Sequence, residues 1–466
     1  MAFLCFFLLL SLFDLVSYSG AELTRGIGIC YGQLGNDLHV PAKSVELING
    51  LKAEQVKIYD ANPDILKSLQ GSDLHVSVML PNELIPNVSS SQTFTDQWVH
   101  TNLVPFYPRT MIRHLLVGNE ILSSQPNSTW FQLVPAMRNL RRSVRKYRLH
   151  KVKVGTPLAM DMLETSFPPS NGSFRSDITD SVFRPLLSFL ADSRSFFFFD
   201  VYPYFAWAAQ PDEIDLDYTL MKHTNRTYSD PGSGLTYTNL LDQMIDSVYF
   251  ALKRLGHPDL PLFIAETGWP SAGDPDQIGS NIYNAATYNR NVVKKFSSKP
   301  LVGTPARPGV AVPAFIFALY NENQKPGAGT ERHFGLLYPN GTNVYEIDLS
   351  GKTPESEFKP LPKPTNNKPF GGKLWCVVNT TQSVNKTALT AALDYACGQD
   401  NGTCDAIRPG GKCYQPNDLI RHASYAFSAY WAQFKRIGGT CSFNGIANST
   451  TKDPSDKMCK FPSVQN

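Results

Sequence analysis

What most limits the fold of this chain is a series of short, β-rich apolar runs, each closed by a turn residue or a polar tip. They span Ile27 to Gly32, Gln55 to Asp60, His75 to Pro81, His114 to Glu120, Lys151 to Pro157, Phe197 to Tyr204, Leu262 to Gly268 and Ala314 to Tyr320. Most are continuously apolar, as strands of a parallel sheet buried on both faces are. Helix-like sequence separates them, most clearly from Tyr237 to Leu255, where Leu240, Leu241, Met244, Ile245, Val248, Leu252 and Leu255 form one stripe before Gly256 and Pro258 end it. Eight strands alternating with helices predict an α/β fold of the (β/α)8 TIM-barrel type. An open doubly wound sheet fits less well, because no glycine-rich dinucleotide loop follows the first run.

Two runs end in glutamate. Val117-Gly118-Asn119-Glu120 closes the fourth, and Ala265-Glu266-Thr267-Gly268-Trp269-Pro270 closes the seventh. A carboxylate at the tip of a buried strand is costly unless a site uses it. Barrel active sites sit at the C-terminal ends of the strands, and strands four and seven lie on different sides of the ring, so their tips face each other across the mouth. Such a carboxyl pair is what hydrolysis of a glycosidic bond requires, one group to protonate the leaving oxygen and one to attack or to activate water. The competing account of either glutamate is a structural ion pair with Arg or Lys.

The chain also carries marks of export. Residues 3 to 13 are apolar and precede small residues at Ser19, Gly20 and Ala21, so a signal peptide is expected over 1–21; the run is too short to span a bilayer. N-x-Ser/Thr acceptors stand at Asn87, Asn127, Asn171, Asn225, Asn340, Asn379, Asn385, Asn401 and Asn448. The tail from Lys460 to Asn466 has no hydrophobic segment, so no glycolipid anchor is expected and the product should be soluble or wall-bound. A net charge of +3 with 42% hydrophobic residues fits neither disorder nor nucleic-acid binding, and implies an uncharged substrate. The basic cluster Arg138, Arg141, Arg142, Arg145, Lys146 and Arg148 interleaves with apolar residues at helical spacing, which reads as the solvated face of an outer helix. No metal or cofactor is called for, and a monomer is expected.

Cysteine usage divides the chain. After the leader only Cys30 lies in the large part, whereas Cys376, Cys397, Cys404, Cys413, Cys441 and Cys459 crowd the end. A small disulfide-stapled domain follows a large one. Between them, Lys352 to Lys373 carries five prolines with Lys, Asn and Gly, a composition that cannot pack a core and should stay extended. The expected plan is a barrel over 22–350, a linker over 351–373 and a small domain over 374–462. Six cysteines allow fifteen pairings, among which sequence alone does not choose.

Four blocks go further than fold class: Val117-Gly118-Asn119-Glu120, Val201-Tyr202-Pro203-Tyr204-Phe205, Ile264-Ala265-Glu266-Thr267-Gly268-Trp269-Pro270-Ser271 and Tyr320-Asn321-Glu322-Asn323-Gln324-Lys325. In this order they resemble the signatures of glycoside hydrolase family 17, and most closely those of the plant glucan endo-1,3-β-glucosidases. The resemblance implies a retaining mechanism with Glu120 as acid/base and Glu266 as nucleophile, and auxiliary roles for Glu322 and Lys325. Lys325 would help hold Glu266 ionised; a structural ion pair between Glu322 and Lys325 is the alternative. Sugar faces are apolar, so Tyr202, Phe205 and Trp269, just past strand ends, are candidate platforms, with loop packing the competing account of each. Asn119 is placed to bind a 2-hydroxyl, with Tyr59 reaching the same subsite. Phe196 to Phe199 reads as core. Cys30, where relatives usually carry Asn, reads as a buried inert thiol.

Leu374 to Pro462 resembles the X8 domain, carbohydrate-binding module family 43, in Leu374-Trp375-Cys376-Val377-Val378, Ala391 to Gly398, Pro409 to Tyr414 and His422 to Phe427. This second resemblance implies a small, mainly helical domain with pairs Cys376–Cys441, Cys397–Cys404 and Cys413–Cys459. The row Tyr425, Phe427, Tyr430, Trp431 and Phe434 falls at mostly helical spacing and reads largely as core. Together the two resemblances imply endo-hydrolysis of 1,3-β-glucan (callose) in the apoplast or cell wall, with the polysaccharide as partner. Three other readings use the same residues: an enzyme for mixed 1,3;1,4-β-glucans, a transglycosylase, and a glucan-binding wall protein without activity.

Overall fold

The computed structural model describes residues 26–465 except 124–125, 382–383 and 401. The expected leader over 1–21 and the acceptor at Asn401 lie outside the described residues.

The barrel forms from eight parallel strands: β1 (Gly28–Tyr31), β2 (Gln55–Ile58), β3 (His75–Leu80), β4 (Ile112–Val117), β5 (Lys153–Gly155, resuming as Pro157–Leu158), β6 (Phe197–Asp200), β7 (Leu262–Thr267) and β8 (Ala314–Ile316). β1 pairs with β8 and with β2, and the ladder continues in order to β4. Closure runs through the interrupted fifth strand. Its first half pairs with β4 at His114↔Lys153, and its second half pairs with β6 at Pro157↔Phe198. Pro157 has no N–H to donate, and Thr156, between the halves, turns its hydroxyl to Val117 O at 2.8 Å.

Period-two alternation sorts the strand side chains. Phe198, Phe263, Phe315, Leu116, Met79 and Cys30 fill the barrel interior, while Val56, Ile58, Val76, Val78, Leu115, Phe197 and Phe199 face the helices. The run Phe196 to Phe199 is therefore core throughout. Cys30 is fully buried, its Sγ 3.6 Å from Ala265 O, and burial pushes its thiol far above the usual range.

Outside the ring, the helix Leu240–Arg254 buries Leu241, Ile245, Val248 and Leu252. Asn239 caps its start by accepting from Asp242 N, and Gly256 past its end takes a left-handed φ of 85°. The helix Leu133–Lys146 buries Met137, Leu140 and Val144 and leaves Arg138, Arg142 and Arg145 in solvent, so the basic cluster is an outer helix face.

The C-terminal region has its own core. The strand β9 (Lys373–Val378) pairs antiparallel with β10 (Ala447–Thr450) and β11 (Val464–Gln465); the helix Leu419–Phe434 covers it, and the helix Lys386–Gly398 packs against that helix. The pairing takes in Lys373 and Val464–Gln465, beyond the span 374–462. Cys376–Cys441, Cys397–Cys404 and Cys413–Cys459 are bonded, as the X8 resemblance implied. Phe427 and Trp431 are buried, while Tyr425, Tyr430 and Phe434 are half-buried.

The linker carries one helical turn, Glu355–Glu357, in an otherwise irregular backbone, and it is laid on the barrel. Asn281 Nδ2 donates to the side-chain oxygens of Asn366 and Asn367 at 2.8 and 2.9 Å, Asn284 Nδ2 donates to Asn367 at 2.7 Å, and Gly279 N donates to Asn366 O at 2.8 Å. Composition alone does not reveal two asparagines that meet the buried amides of Asn281 and Asn284 and the Gly279 backbone on the barrel.

Candidate active site

The tip of β4 is shaped before the glutamate is reached. The chain leaves the ladder at Gly118, whose φ is 69° and where a Cβ would stand 2.6 Å from Asn82 Oδ1. Asn82 holds the turn from outside, accepting from Asn119 N at 2.7 Å and donating to Asn119 O at 3.0 Å. Glu120 then sits at φ 47°, its N–H bonded to Pro157 O at 3.1 Å. A non-glycine residue in the left-handed region is uncommon, and here the surrounding bonds fix it.

Glu266 reaches the same cavity by another route. β7 pairs Glu266 with Asp200, and the register shifts between Ile264 and Glu266, a bulge that re-aims the side chain at the strand end. The residue is 5% exposed. Oε1 accepts from Lys57 Nζ at 2.7 Å and from Tyr59 OH at 2.6 Å, and Oε2 accepts from Tyr202 OH at 2.7 Å. Burial pushes this carboxyl up, but the Lys57 charge and the three hydrogen bonds outweigh it and hold Glu266 below the usual glutamate range. Among the described residues Glu120 has no such hydrogen-bond partners; burial and then the Glu266 charge push it up to about 7. One cavity thus contains an ionised carboxylate and a carboxylic acid.

The cavity has a volume of about 1150 Å³, and Glu120, Glu266, Tyr59, Asn119, Tyr202 and Phe205 all line it. Phe205 is 45% exposed, in the position of a platform. Tyr59 and Tyr202 stand edge-on to Phe317, and their hydroxyls are engaged by Glu266, so both act on the carboxylate as well as on the cavity wall. Asn119 Oδ1 accepts from Lys57 Nζ at 3.4 Å.

Trp269 is a correction. It is fully buried, packed against Tyr204, Trp207 and Tyr288, with its indole N–H on Gly279 O at 2.8 Å, and it does not line the cavity. Proximity in sequence to Glu266 does not put the ring in the cavity: the strand ends at Thr267, and the next residue passes so close to the Phe317 backbone that a Cβ on Gly268 would stand 2.4 Å from Phe317 O.

The auxiliary pair is also rearranged. Lys325 bonds Glu331 at 3.4 Å and lies 3.9 Å from the Phe317 ring centre, while Glu322 accepts from Leu34 N at 2.6 Å. Neither the expected support of Glu266 by Lys325 nor the Glu322–Lys325 ion pair is the observed contact. The cation on Glu266 is Lys57.

Sequence reasoning missed Lys57, Asp200 and Glu331. Lys57 left a signal, since Gln55, Lys57 and Tyr59 alternate with Val56 and Ile58 in a strand buried on both faces, which puts the polar set inside. Asp200, at the end of β6, is 2% exposed, and neither of its oxygens has a hydrogen-bond partner among the described residues. Burial and the Glu266 charge push it well above the usual range, and it lines the cavity. Among the described residues no group of three or more acidic, His or Cys side chains is placed to hold a metal ion.

A (β/α)8 barrel whose mouth holds one ionised and one protonated carboxyl group, with an aromatic wall, is the architecture of a glycosidase. Residues 27–349 match the model of glycosyl hydrolases family 17, and residues 374–448 match that of the X8 domain. The chain therefore belongs to glycosyl hydrolase family 17. It is 51% identical to an Arabidopsis thaliana protein named "Probable glucan endo-1,3-beta-glucosidase A6" over 95% of this chain and 92% of that one. It is 34% identical to the glucan endo-1,3-beta-D-glucosidase of Olea europaea over 97% and 96% of the two chains. Among solved structures, a β-1,3-glucanase and allergen of Cryptomeria japonica pollen superposes with TM-score 0.66 at 40% identity, covering 70% of this chain and 99% of that one.

Proposed function

We propose that this protein is an endo-acting hydrolase of 1,3-β-glucan that retains anomeric configuration, with a glucan-binding module at its C-terminus. The observation that carries the reading is the opposed protonation of Glu120 and Glu266 in one cavity of a family 17 barrel. The names of the relatives support the linkage, and the X8 match supports carbohydrate binding.

In the first step Glu266 attacks the anomeric carbon and the bond to the leaving oxygen breaks as Glu120 gives that oxygen its proton. Lys57, Tyr59 and Tyr202 keep Glu266 ionised and oriented until then. Forming the glycosyl ester removes the Glu266 charge, which lowers the Glu120 pKa, so Glu120 stays a carboxylate and can take a proton from water. The resulting hydroxide adds to the anomeric carbon, and the ester bond to Glu266 breaks. Phe205 offers an apolar face to a sugar ring and Asn119 offers an amide.

The proposed division is a catalytic barrel over 22–350, a linker over 351–373 and a module over 374–462. Three disulfides support a secreted protein acting on wall glucan, and among the described residues no helix is long and apolar enough to cross a membrane. Reducing ends released from laminarin by wild type, and none by Glu266→Gln, are expected, with the first product in the β configuration by NMR. Faster cleavage of lichenan than of laminarin would overturn the 1,3 assignment, and an α first product would overturn retention.

A further inference from the structure

The module meets the barrel at the rim of the catalytic mouth. Asp276 lies in the loop that follows β7, and its Oδ1 accepts from Ser449 Oγ of β10 at 2.5 Å. The Lys435 ammonium, at the end of the helix Leu419–Phe434, feels the same carboxylate. On the loop after β8, Gly327 meets Gly445 so closely that a Cβ on Gly445 would stand 3.2 Å from Gly327 N. A side chain at Gly445 would press on the Pro326–Gly327 backbone across the seam.

The linker restricts the module independently. From the Asn366–Asn367 clamp to the start of β9 only Lys368 to Gly372 intervene, a reach of at most roughly 20 Å when fully extended. A module held by both a short leash and a seam has little freedom to search space.

The seam also joins two sugar-competent surfaces. On the barrel side, Gly327 is two residues from Lys325, which lines the catalytic cavity. On the module side, Gly445 is two residues from Phe443, whose ring lies 5.3 Å from Tyr430 and 6.4 Å from Tyr395. Tyr395 is 53% exposed, the most open aromatic of this cluster, and it stands 5.9 Å from Tyr430. Open aromatic rings offer apolar faces on which sugar rings stack.

We infer that the module is a fixed extension of the cleft: a 1,3-β-glucan chain that leaves the barrel past Lys325 crosses the Gly327–Gly445 seam and stacks on Tyr395 and Tyr430. This rests on the proposed glucanase reading. It differs from a free tether, which raises local substrate concentration but leaves the two binding surfaces uncoordinated.

The test uses the full chain and a series of 1,3-β-gluco-oligosaccharides of increasing length, followed by long soluble glucan. In wild type, kcat/KM is expected to keep rising beyond the length that fills the barrel cavity. The double variant Asn366→Ala/Asn367→Ala releases the clamp without touching either sugar surface. It is expected to keep wild-type rates on the shortest substrates and to lose about tenfold on the longest, the scale of a lost intramolecular binding event. Tyr395→Ala, an exposed truncation that leaves the core intact, is expected to flatten the same length dependence. Equal length dependence in wild type and the clamp variant would overturn the inference, as would a Tyr395→Ala enzyme that still gains with length. A wild type that cleaves no member of the series would instead overturn the glucanase reading beneath it.

Discussion

At the tip of β7, Glu266 is wrapped by an ammonium and two phenols, all donating. At the tip of β4, Glu120 makes no ion pair among the described residues and rests on a strained turn built by Gly118 and Asn82. The same side chain in one cavity is driven in opposite directions, down at β7 and up to about 7 at β4. Burial raises both groups; the Lys57 charge and the hydrogen bonds gathered on Glu266 decide which one stays charged. Acid and nucleophile are therefore distinguished by the neighbours each strand supplies.

The largest test of this contrast is removal of the β7 carboxylate. Glu266→Ala is expected to lower kcat by about 10⁴-fold or more, since no other group can form the glycosyl ester. Single-turnover measurement on laminarin checks it, and residual activity above about a hundredth of wild type would place the nucleophile elsewhere.

Glu120→Gln should follow, with a loss of about 10²- to 10⁴-fold in kcat/KM. The pH profile gives the sign. A carboxyl raised to about 7 is protonated below that pH, so wild-type kcat/KM falls as pH rises through about 7. That alkaline limb should vanish in Glu120→Gln.

Lys57→Met removes the charge that keeps Glu266 ionised and is expected to cost about 10²-fold in kcat/KM. Glu266 is depressed in wild type, so the acid limb lies below the ordinary glutamate range. Without Lys57 that limb should move to higher pH, and an unmoved limb would assign the depression to Tyr59 and Tyr202 alone.

The smallest effect is expected at Asp200. Because burial and the Glu266 charge favour its protonated form, the neutral and isosteric Asp200→Asn should stay within about threefold of wild type with an unshifted profile. A larger loss would mean that a second anion stands beside Glu266 in the working enzyme.

Much of the barrel is legible because β1 to β8 are buried on both faces and write themselves as apolar runs. Their ends are less so. The run Phe197 to Tyr204 leaves the ladder at Asp200, because Pro203 opens a helix capped at Tyr202. His114 to Glu120 leaves it at Val117, because Gly118 bends the chain. Glu120 and Glu266 are visible as carboxylates at strand tips, whereas Lys57 lies mid-strand, where a lysine ordinarily suggests an exposed edge. Trp269 and the asparagine clamp depend on tertiary packing that no local pattern encodes.

Cys30 has a consequence for biosynthesis. It is the one cysteine outside the three pairs among the described residues, and a stray thiol in such a chain can attack its cystines. Exchange needs an accessible thiolate, and Cys30 is neither accessible nor ionised. The barrel precedes the module in the chain and so emerges first during synthesis. Once closed, it locks away the only competing sulfur of the described chain before Cys376 to Cys459 have to find their partners.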